Sequence, residues 1–291
     1  PPPHRHPLLE PFFMPDLPEI ETYRRDLERD VSGKKIKTVE VASMKCLPQF
    51  RNKKDFVDQI VDAKVQSVTR RGLSLLFTLD NELAMVVDLG PTGGLRRRAN
   101  KEPAEKGTEI TWIFTQHGQL RYIDPEQTGE ILLVPTGELA TARPEWVELG
   151  TDTVDEPISW TAFGRALLER SDRLKLLLMD PTFLVGLGQI YSDEILFHAG
   201  LRYNRTPDSL STQEIRRLYR AVVEVVHDAV KYRGTTLEDN GYAELFGDPG
   251  VCQALRAVSG KAGEMSPRAR GEIVRSKIGG QWTYYCEQTQ V

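Results

Sequence analysis

The strongest constraint on the fold is a change in residue pattern near the middle of the chain. Between residues 35 and 135, short segments rich in β-branched and aromatic residues alternate with turns that mostly contain Gly, Asn or Asp. The predicted strands cover residues 36–41, 65–68, 73–79, 83–87, 109–114, 119–123 and 130–134. Many short strands without intervening helices are typical of an antiparallel sandwich or barrel.

Helical patterns lie on both sides of this β-rich region. Residues 18–30 place Ile20, Tyr23 and Leu27 on one face and charged residues on the other, which predicts an amphipathic helix. Further helices are predicted at residues 161–169, 174–179, 189–199 and 212–232, and a last strand at 281–285. We therefore expect an α+β fold in which a β domain precedes a helical domain.

The expected domain boundary lies at residues 136–156, where Pro, Gly and acidic residues cluster. This divides the chain into a β-sandwich domain at 14–136, a helical domain at 156–246 and a C-terminal segment at 247–291. Residues 1–13 hold four prolines in their first seven positions and no periodic pattern. We expect them to be a disordered extension, an expression remnant, or sequence upstream of a true start at Met14.

Composition argues against a membrane or secreted protein. The chain is 40% hydrophobic and 27% charged, and no run of eighteen apolar residues predicts a membrane span. Its first residues lack the pattern of a signal peptide. Three widely spaced cysteines, Cys46, Cys252 and Cys286, predict free thiols in a reducing cytoplasm rather than a disulfide framework.

The net charge of −4 argues mildly against a protein that coats nucleic acid non-specifically. Local clusters matter more than the sum, and arginines group at residues 70–71, 96–98 and 216–220. Each cluster has an alternative interpretation as an ordinary solvated surface.

One segment with candidate chemistry begins at Met14. If Met14 is the initiator, its removal leaves Pro15 as the N-terminal residue, whose secondary amine can attack an aldehyde carbon and form an iminium. Asp16 follows directly and can donate or accept a proton. A proline near a chain start is more often a turn residue or the first residue of a helix, so this segment alone is weak evidence.

A second segment is the Gly186–Gln189 turn that opens the predicted helix at 189–199. Backbone N–H groups at a helix start suit a phosphate, although a tight helix–helix turn is the simpler interpretation. No strand of a βαβ unit precedes the turn, so a dinucleotide fingerprint is not expected. The chain also lacks Gly-x-Ser-x-Gly, P-loop and His-Glu-x-x-His motifs, which leaves an unrelated hydrolase or kinase without support.

Both segments belong to a longer series of motifs in a characteristic order. The series comprises residues 14–22, 70–77, 88–93, 175–180, 186–200, 234–237 and 285–290. Over residues 14–291 the chain resembles the formamidopyrimidine-DNA glycosylase / endonuclease VIII family. Residues 175–200 are the most specific piece and are similar to the family's helix-two-turn-helix, which grips the DNA backbone.

The resemblance implies a fold, a partner and a reaction. The fold is an N-terminal antiparallel β-sandwich followed by a C-terminal helix-two-turn-helix domain with a β-hairpin finger. The partner is double-stranded DNA, damaged or abasic, bound in the cleft between the domains. Family members flip out a damaged base, which the N-terminal proline displaces at C1′ before strand cleavage. The implied function is a bifunctional DNA glycosylase and abasic-site lyase of base excision repair, monomeric, without a cofactor, in the nucleoid-containing cytoplasm.

The resemblance also assigns site residues. Pro15 and Asp16 are the implied catalytic pair. The implied DNA contacts are Arg71, Lys175, Gly188, Gln189, Tyr191 and Gln281.

Several positions depart from the family pattern where it meets DNA. Asp16 replaces a glutamate and is one methylene shorter, and Leu73 replaces a lysine that contacts phosphate and serves elimination. Asp88 and Glu126 place negative charge where phosphates approach, which is unfavourable. Further replacements are Pro91 for the side chain that fills the gap left by the flipped nucleotide, Thr128 for a probing Phe, Gln189 for Asn and Gln281 for Arg.

The finger departs as well. A zinc site of the family's type needs two Cys-x-x-Cys pairs, but the partner positions of Cys252 and Cys286 hold Leu255 and Thr289. We therefore expect a zincless finger and no metal. Together, the departures keep a second interpretation open: a catalytically inactive paralogue that serves as a DNA-structure-binding or protein-interaction module.

Overall fold

Two four-stranded antiparallel sheets form the N-terminal part of the protein in this computed structural model, which describes residues 14–237 and 241–291. One sheet has the strand order β1-β6-β7-β5 and the other β2-β3-β4-β8. The strands are β1 (Ile36–Val41), β2 (Val65–Arg71), β3 (Ser74–Leu79), β4 (Leu83–Asp88), β5 (Gly94–Arg98), β6 (Thr108–Phe114), β7 (Gln119–Ile123) and β8 (Glu130–Pro135). The extension predicted at residues 1–13 lies outside the described residues.

The two sheets share one apolar core. Trp112 and Tyr122 from the first sheet are buried in the same cluster as Phe77 and Met85 from the second. Removing apolar surface of this kind from water stabilises the fold by about 25 cal/mol per Å². The predicted β-sandwich is confirmed.

Two elements of this domain differ from the predictions. A helix, α2 (Lys53–Ile60), interrupts the strands, so the expectation of a β region without helices is wrong. Only Phe56 and Ile60 of this helix are buried, and one turn of apolar spacing is too short to stand out as a periodic pattern. Strand β5 is absent from the predicted strands because Leu95 is its only buried residue and three arginines follow it.

The predicted helices are present, and a β-hairpin follows them further along the chain. They are α1 (Leu17–Val31), α4 (Trp160–Leu168), α5 (Leu174–Leu178), α6 (Gln189–Ala199) and α7 (Thr212–Lys231), with a short α3 (Leu139–Ala142) between the domains. The predicted final strand, β10 (Gln281–Tyr285), pairs antiparallel with β9 (Val274–Ile278) and forms the finger hairpin. No helix within the described ranges is long and apolar enough to cross a membrane.

Helix α1 joins the two domains. Ile20 and Tyr23 belong to the sandwich core, whereas Leu17 belongs to the core of the helical domain. The Leu17 N–H donates to the carbonyl of Gly186 at 2.7 Å. The start of α1 is therefore fixed against the turn that precedes α6, so the two segments singled out in the sequence meet.

Candidate functional site

Asp16 and Gly188 are in direct contact although 172 residues separate them. The Gly188 N–H donates to Asp16 Oδ2 at 3.0 Å. A Cβ atom on residue 188 would lie 2.4 Å from Asp16 Oδ1, closer than real Cβ atoms approach. Glycine is therefore needed here for close approach, and the N–H of Gly188, the N-cap residue of α6, points at a carboxylate, as a helix start favours.

Glu19 supplies a second carboxyl group behind Asp16. Its Oε2 accepts the Asp16 N–H at 3.0 Å, and its Oε1 accepts the Tyr191 hydroxyl at 2.5 Å and the Thr235 N–H at 2.7 Å. Glu19 is buried, with 4% of its surface exposed. The sequence reasoning assigned it no role, although it closes the Met14–Glu19 motif.

Both carboxyl groups hold protons more tightly than usual. Burial raises the pKa of Asp16 well above its ordinary range, and repulsion from Glu19 adds to this, against the opposing effects of the Gly188 bond and Lys175. Burial raises the pKa of Glu19 to about 7, although the bond from Tyr191 opposes the shift. The pair therefore carries a proton near neutral pH and can act as an acid towards a neighbouring group.

Pro15 lies directly before this acidic pair (Asp16 and Glu19) and is itself buried. It borders a small void of about 10 Å³ together with Glu19, Tyr191 and Tyr242. A void of this size has room for about one water molecule. Pro15 is thus placed beside a proton source.

A larger cleft of about 440 Å³ is also bordered by Asp16. Leu73 and Pro91 line it from the β domain, Gln189 from the helical domain and Gln281 from the finger. The structure therefore brings Asp16, Gly188, Gln189 and Gln281 to one cavity between the domains.

Lys175 and Tyr191 lie behind this cleft rather than on it. Lys175 is completely buried, and its Nζ donates to the Gln189 carbonyl at 2.8 Å, to Ser192 Oγ at 2.8 Å and to Asp193 Oδ1 at 2.6 Å. All three ammonium protons are used, so this geometry favours a role in fixing the first turn of α6. Lys175 and Tyr191 were both predicted to contact DNA, but neither side chain borders the cleft.

Arg71 is exposed and Arg70 is not. Arg71 lies 3.6 Å from Glu156 and does not border the cleft. Arg70 is fully buried, with Glu21 at 3.2 Å and Asp155 at 3.0 Å, and also pairs with Asp152. Arg70 therefore ties β2 and α1 to the interdomain segment, which excludes it from contact with a ligand in the cleft.

Asp88 does not present a bare negative charge. Its carboxylate accepts hydrogen bonds from Ser74 and from Arg143, whose guanidinium also binds Glu130 at 2.8 Å. Arg143 therefore offsets part of the repulsion expected from Asp88. Glu126, in contrast, is exposed as a charged residue of the β7–β8 connection.

The finger residues do not fit a zinc site. Cys252 is buried in the core of the helical domain and Cys286 in a separate cluster of the finger. Within residues 14–237 and 241–291, no group of three or more His, Cys, Asp or Glu side chains could hold a metal. Protein contacts hold the finger instead: Glu194 accepts the backbone N–H groups of residues 257–259 at 2.7, 3.0 and 2.8 Å.

Comparison with protein families agrees with this arrangement. The formamidopyrimidine-DNA glycosylase N-terminal domain matches residues 14–131, and the formamidopyrimidine-DNA glycosylase H2TH domain (helix-two-turn-helix) matches residues 149–240. The chain belongs to the formamidopyrimidine-DNA glycosylase family. The predicted resemblance and the predicted fold class are both confirmed.

Individual members of the family align over nearly their whole length. A formamidopyrimidine-DNA glycosylase of Pelotomaculum thermopropionicum is 36% identical over 279 residues, which cover 95% of this chain and 99% of the relative. One from Heliobacterium modesticaldum is also 36% identical, over 283 residues and 100% of its length.

Solved structures of the glycosylase family share the fold. A Lactococcus lactis Fpg in complex with DNA that contains an abasic site superposes with a TM-score of 0.85 at 28% identity, covering 94% of this chain and 99% of the other. The same enzyme bound to DNA with an N7-benzyl-Fapy-dG has a TM-score of 0.84 at 28% identity, over 95% of this chain and 99% of that one.

Proposed function

We propose that the protein is a DNA glycosylase and abasic-site lyase that acts on damaged duplex DNA bound in the cleft between its domains. The observation that carries the proposal is the position of Pro15 beside the acidic pair, whose pKa values are raised. The Gly188 N–H at the start of α6 holds Asp16 of this pair in place. The complexes of the Lactococcus lactis enzyme with abasic and Fapy-dG DNA support the choice of substrate. Under this proposal the protein acts as a monomer on DNA in the nucleoid-containing cytoplasm.

The chemistry divides between Pro15 and Asp16. When Pro15 is the N-terminal residue, its nitrogen lone pair forms a bond to C1′ while the C1′–base bond breaks. The Asp16 carboxyl group can supply a proton to the sugar, and its raised pKa keeps that proton available near neutral pH. With that proton on the ring oxygen O4′, the C1′–O4′ bond breaks, and the Pro15 nitrogen, whose own N–H proton goes to the departing base, forms an iminium with C1′. The iminium makes the C2′ proton acidic, and loss of this proton expels the 3′ phosphate, which cleaves the strand.

Leu73 weakens the second half of this reaction. It borders the cleft where the family has a lysine, and a hydrocarbon side chain can neither neutralise a phosphate nor move a proton. We infer that base removal and iminium formation are retained better than elimination.

A DNA-structure-binding protein without catalysis is the second candidate. It is favoured by two side chains that line the cleft, since Leu73 and Gln281 stand where the family has a lysine and an arginine. The same cleft would then bind DNA without reacting.

Borohydride trapping separates the two candidates. Protein that begins at Pro15 is incubated with a duplex containing an abasic site and then reduced. The proposal predicts a stable protein–DNA adduct, and the full 291-residue chain is the matched control because it has the same side chains but an amide nitrogen at Pro15. Duplex binding without an adduct from the Pro15-initiated protein would support the non-catalytic candidate.

A further inference from the structure

The finger hairpin carries an aromatic ring between two cations. The Arg275 guanidinium carbon lies 4.4 Å from the centroid of the Trp282 ring, and the Lys277 ammonium nitrogen lies 4.6 Å from it. The register explains the cluster, because Trp282 is directly opposite Lys277 and Arg275 is two residues along the same face of β9.

Arg275 and Lys277 differ from Arg70 and Arg143, which carboxylates neutralise. Arg275 and Lys277 are exposed, and neither forms an ion pair within the part of the chain that the structure describes. Residues 273–286 contain no Asp or Glu, although the chain as a whole has a net charge of −4. The hairpin is therefore a local positive surface whose charge is available to an anion.

The opposite face of the hairpin is already occupied. Thr283 Oγ1 donates to Asp193 Oδ1 of α6 at 2.6 Å, and the Tyr285 ring packs on Tyr203 with centroids 4.9 Å apart. Trp282 alternates with these residues and faces the other way. Gln281, its neighbour in the strand, borders the cleft and by the same alternation lies on the face opposite to Trp282. Trp282 is therefore one residue away from the proposed DNA site, on the outer face of the hairpin.

We propose that Trp282, Arg275 and Lys277 form a stacking site for an unpaired base of a DNA strand that leaves the cleft. Trp282 is half-buried, so part of its ring is accessible. Stacking of a base on an aromatic side chain contributes roughly 5- to 150-fold in affinity, without preference for sequence. An exposed cation–π pair contributes only about 2- to 5-fold, so a base displaces a cation from the ring. The displaced Arg275 or Lys277 remains next to the adjoining phosphate and neutralises it. The site rests on the proposed function, because the strand that reaches it comes from DNA in the cleft. The ring and its two cations can also bind a free single strand, which makes the site testable without a duplex.

The test compares oligothymidylate with a blunt duplex on the full chain. Trp282→Ala should lower the affinity for oligothymidylate by roughly 5- to 150-fold and leave the affinity for the blunt duplex unchanged. Trp282→Phe, which keeps an aromatic face, should retain most of the binding. The matched control is Trp160→Ala, since Arg216 lies 4.1 Å from the Trp160 ring at a position that does not border the cleft. Equal thermal unfolding midpoints establish that the variants are folded.

The outcomes separate this site from the proposed function. Equal losses for oligothymidylate and blunt duplex in Trp282→Ala, or an equal loss in Trp160→Ala, would overturn the stacking site. A protein that binds the duplex but not oligothymidylate would overturn the stacking site and leave the proposed function intact. A protein that binds neither at low salt would overturn both.

Discussion

A methyl group at residue 188 would push the Asp16 carboxyl group away from its position beside Pro15. In Gly188→Ala the new Cβ would lie 2.4 Å from Asp16 Oδ1 and 2.5 Å from Oδ2, whereas ordinary contacts lie at 3.4–4 Å. Asp16 must therefore retreat by about 1 Å, and a misplacement of that size costs roughly a hundredfold in rate. The backbone at Gly188 has φ −96°, which alanine adopts without strain, so the effect reports the contact alone.

Single-turnover cleavage of an abasic duplex by the Pro15-initiated protein measures this effect. We expect the Gly188→Ala rate to fall about a hundredfold while duplex affinity changes little, because the cleft-lining side chains other than Asp16 stay in place. Gly137→Ala is the control, since an added Cβ there meets no atom within 4 Å. A folded Gly188→Ala protein that cleaves at the wild-type rate would show that the Gly188–Asp16 contact does not position the proton donor.

Three further predictions concern the buried groups and the cleft. Burial raises the pKa of Glu19 from 4.5 to about 7, so between these pH values the folded state holds a proton that the unfolded chain releases. The stability of the fold should therefore decrease as pH rises from 4.5 to 7, as measured by thermal unfolding. Glu19→Gln should make this pH dependence smaller. Leu73→Lys adds a cation to the cleft and should raise duplex affinity at low salt, steepening the log K against log [salt] slope by about 0.9, whereas Leu73→Met should match the wild type. Lys175→Met leaves the buried Asp193 carboxylate without its countercharge and should cost about 3–5 kcal/mol in urea unfolding, part of which Asp193→Asn should restore in the double variant.

The order of the elements could be read from the sequence, whereas the roles of its charged residues could not. Arg70 and Arg71 look alike as a basic pair, but successive residues of a strand face opposite sides, and only Arg70 finds buried acidic partners. One of those partners, Asp152, lies 82 residues further along the chain. Local pattern carries no information about such pairs.

For the candidate site, too, the sequence predicted which segments meet but not the state of the buried charged groups. The motifs place Asp16 and Gly188 in one site, and the structure brings them into contact. Burial of Lys175 and protonation of Glu19 depend on contacts with distant segments, such as the Thr235 N–H that binds Glu19 across 216 residues. The family motif therefore assigns Lys175 to a DNA surface, and the sequence assigns Glu19 no role.

Mass mapping of the borohydride-trapped adduct tests the proposed chemistry most directly. The Pro15-initiated protein is reduced on an abasic duplex, the adduct is digested, and the peptide that carries the sugar is sequenced. The proposed mechanism predicts the modification on the Pro15 nitrogen. A modification on a lysine, or no adduct from protein that binds the duplex, would contradict it.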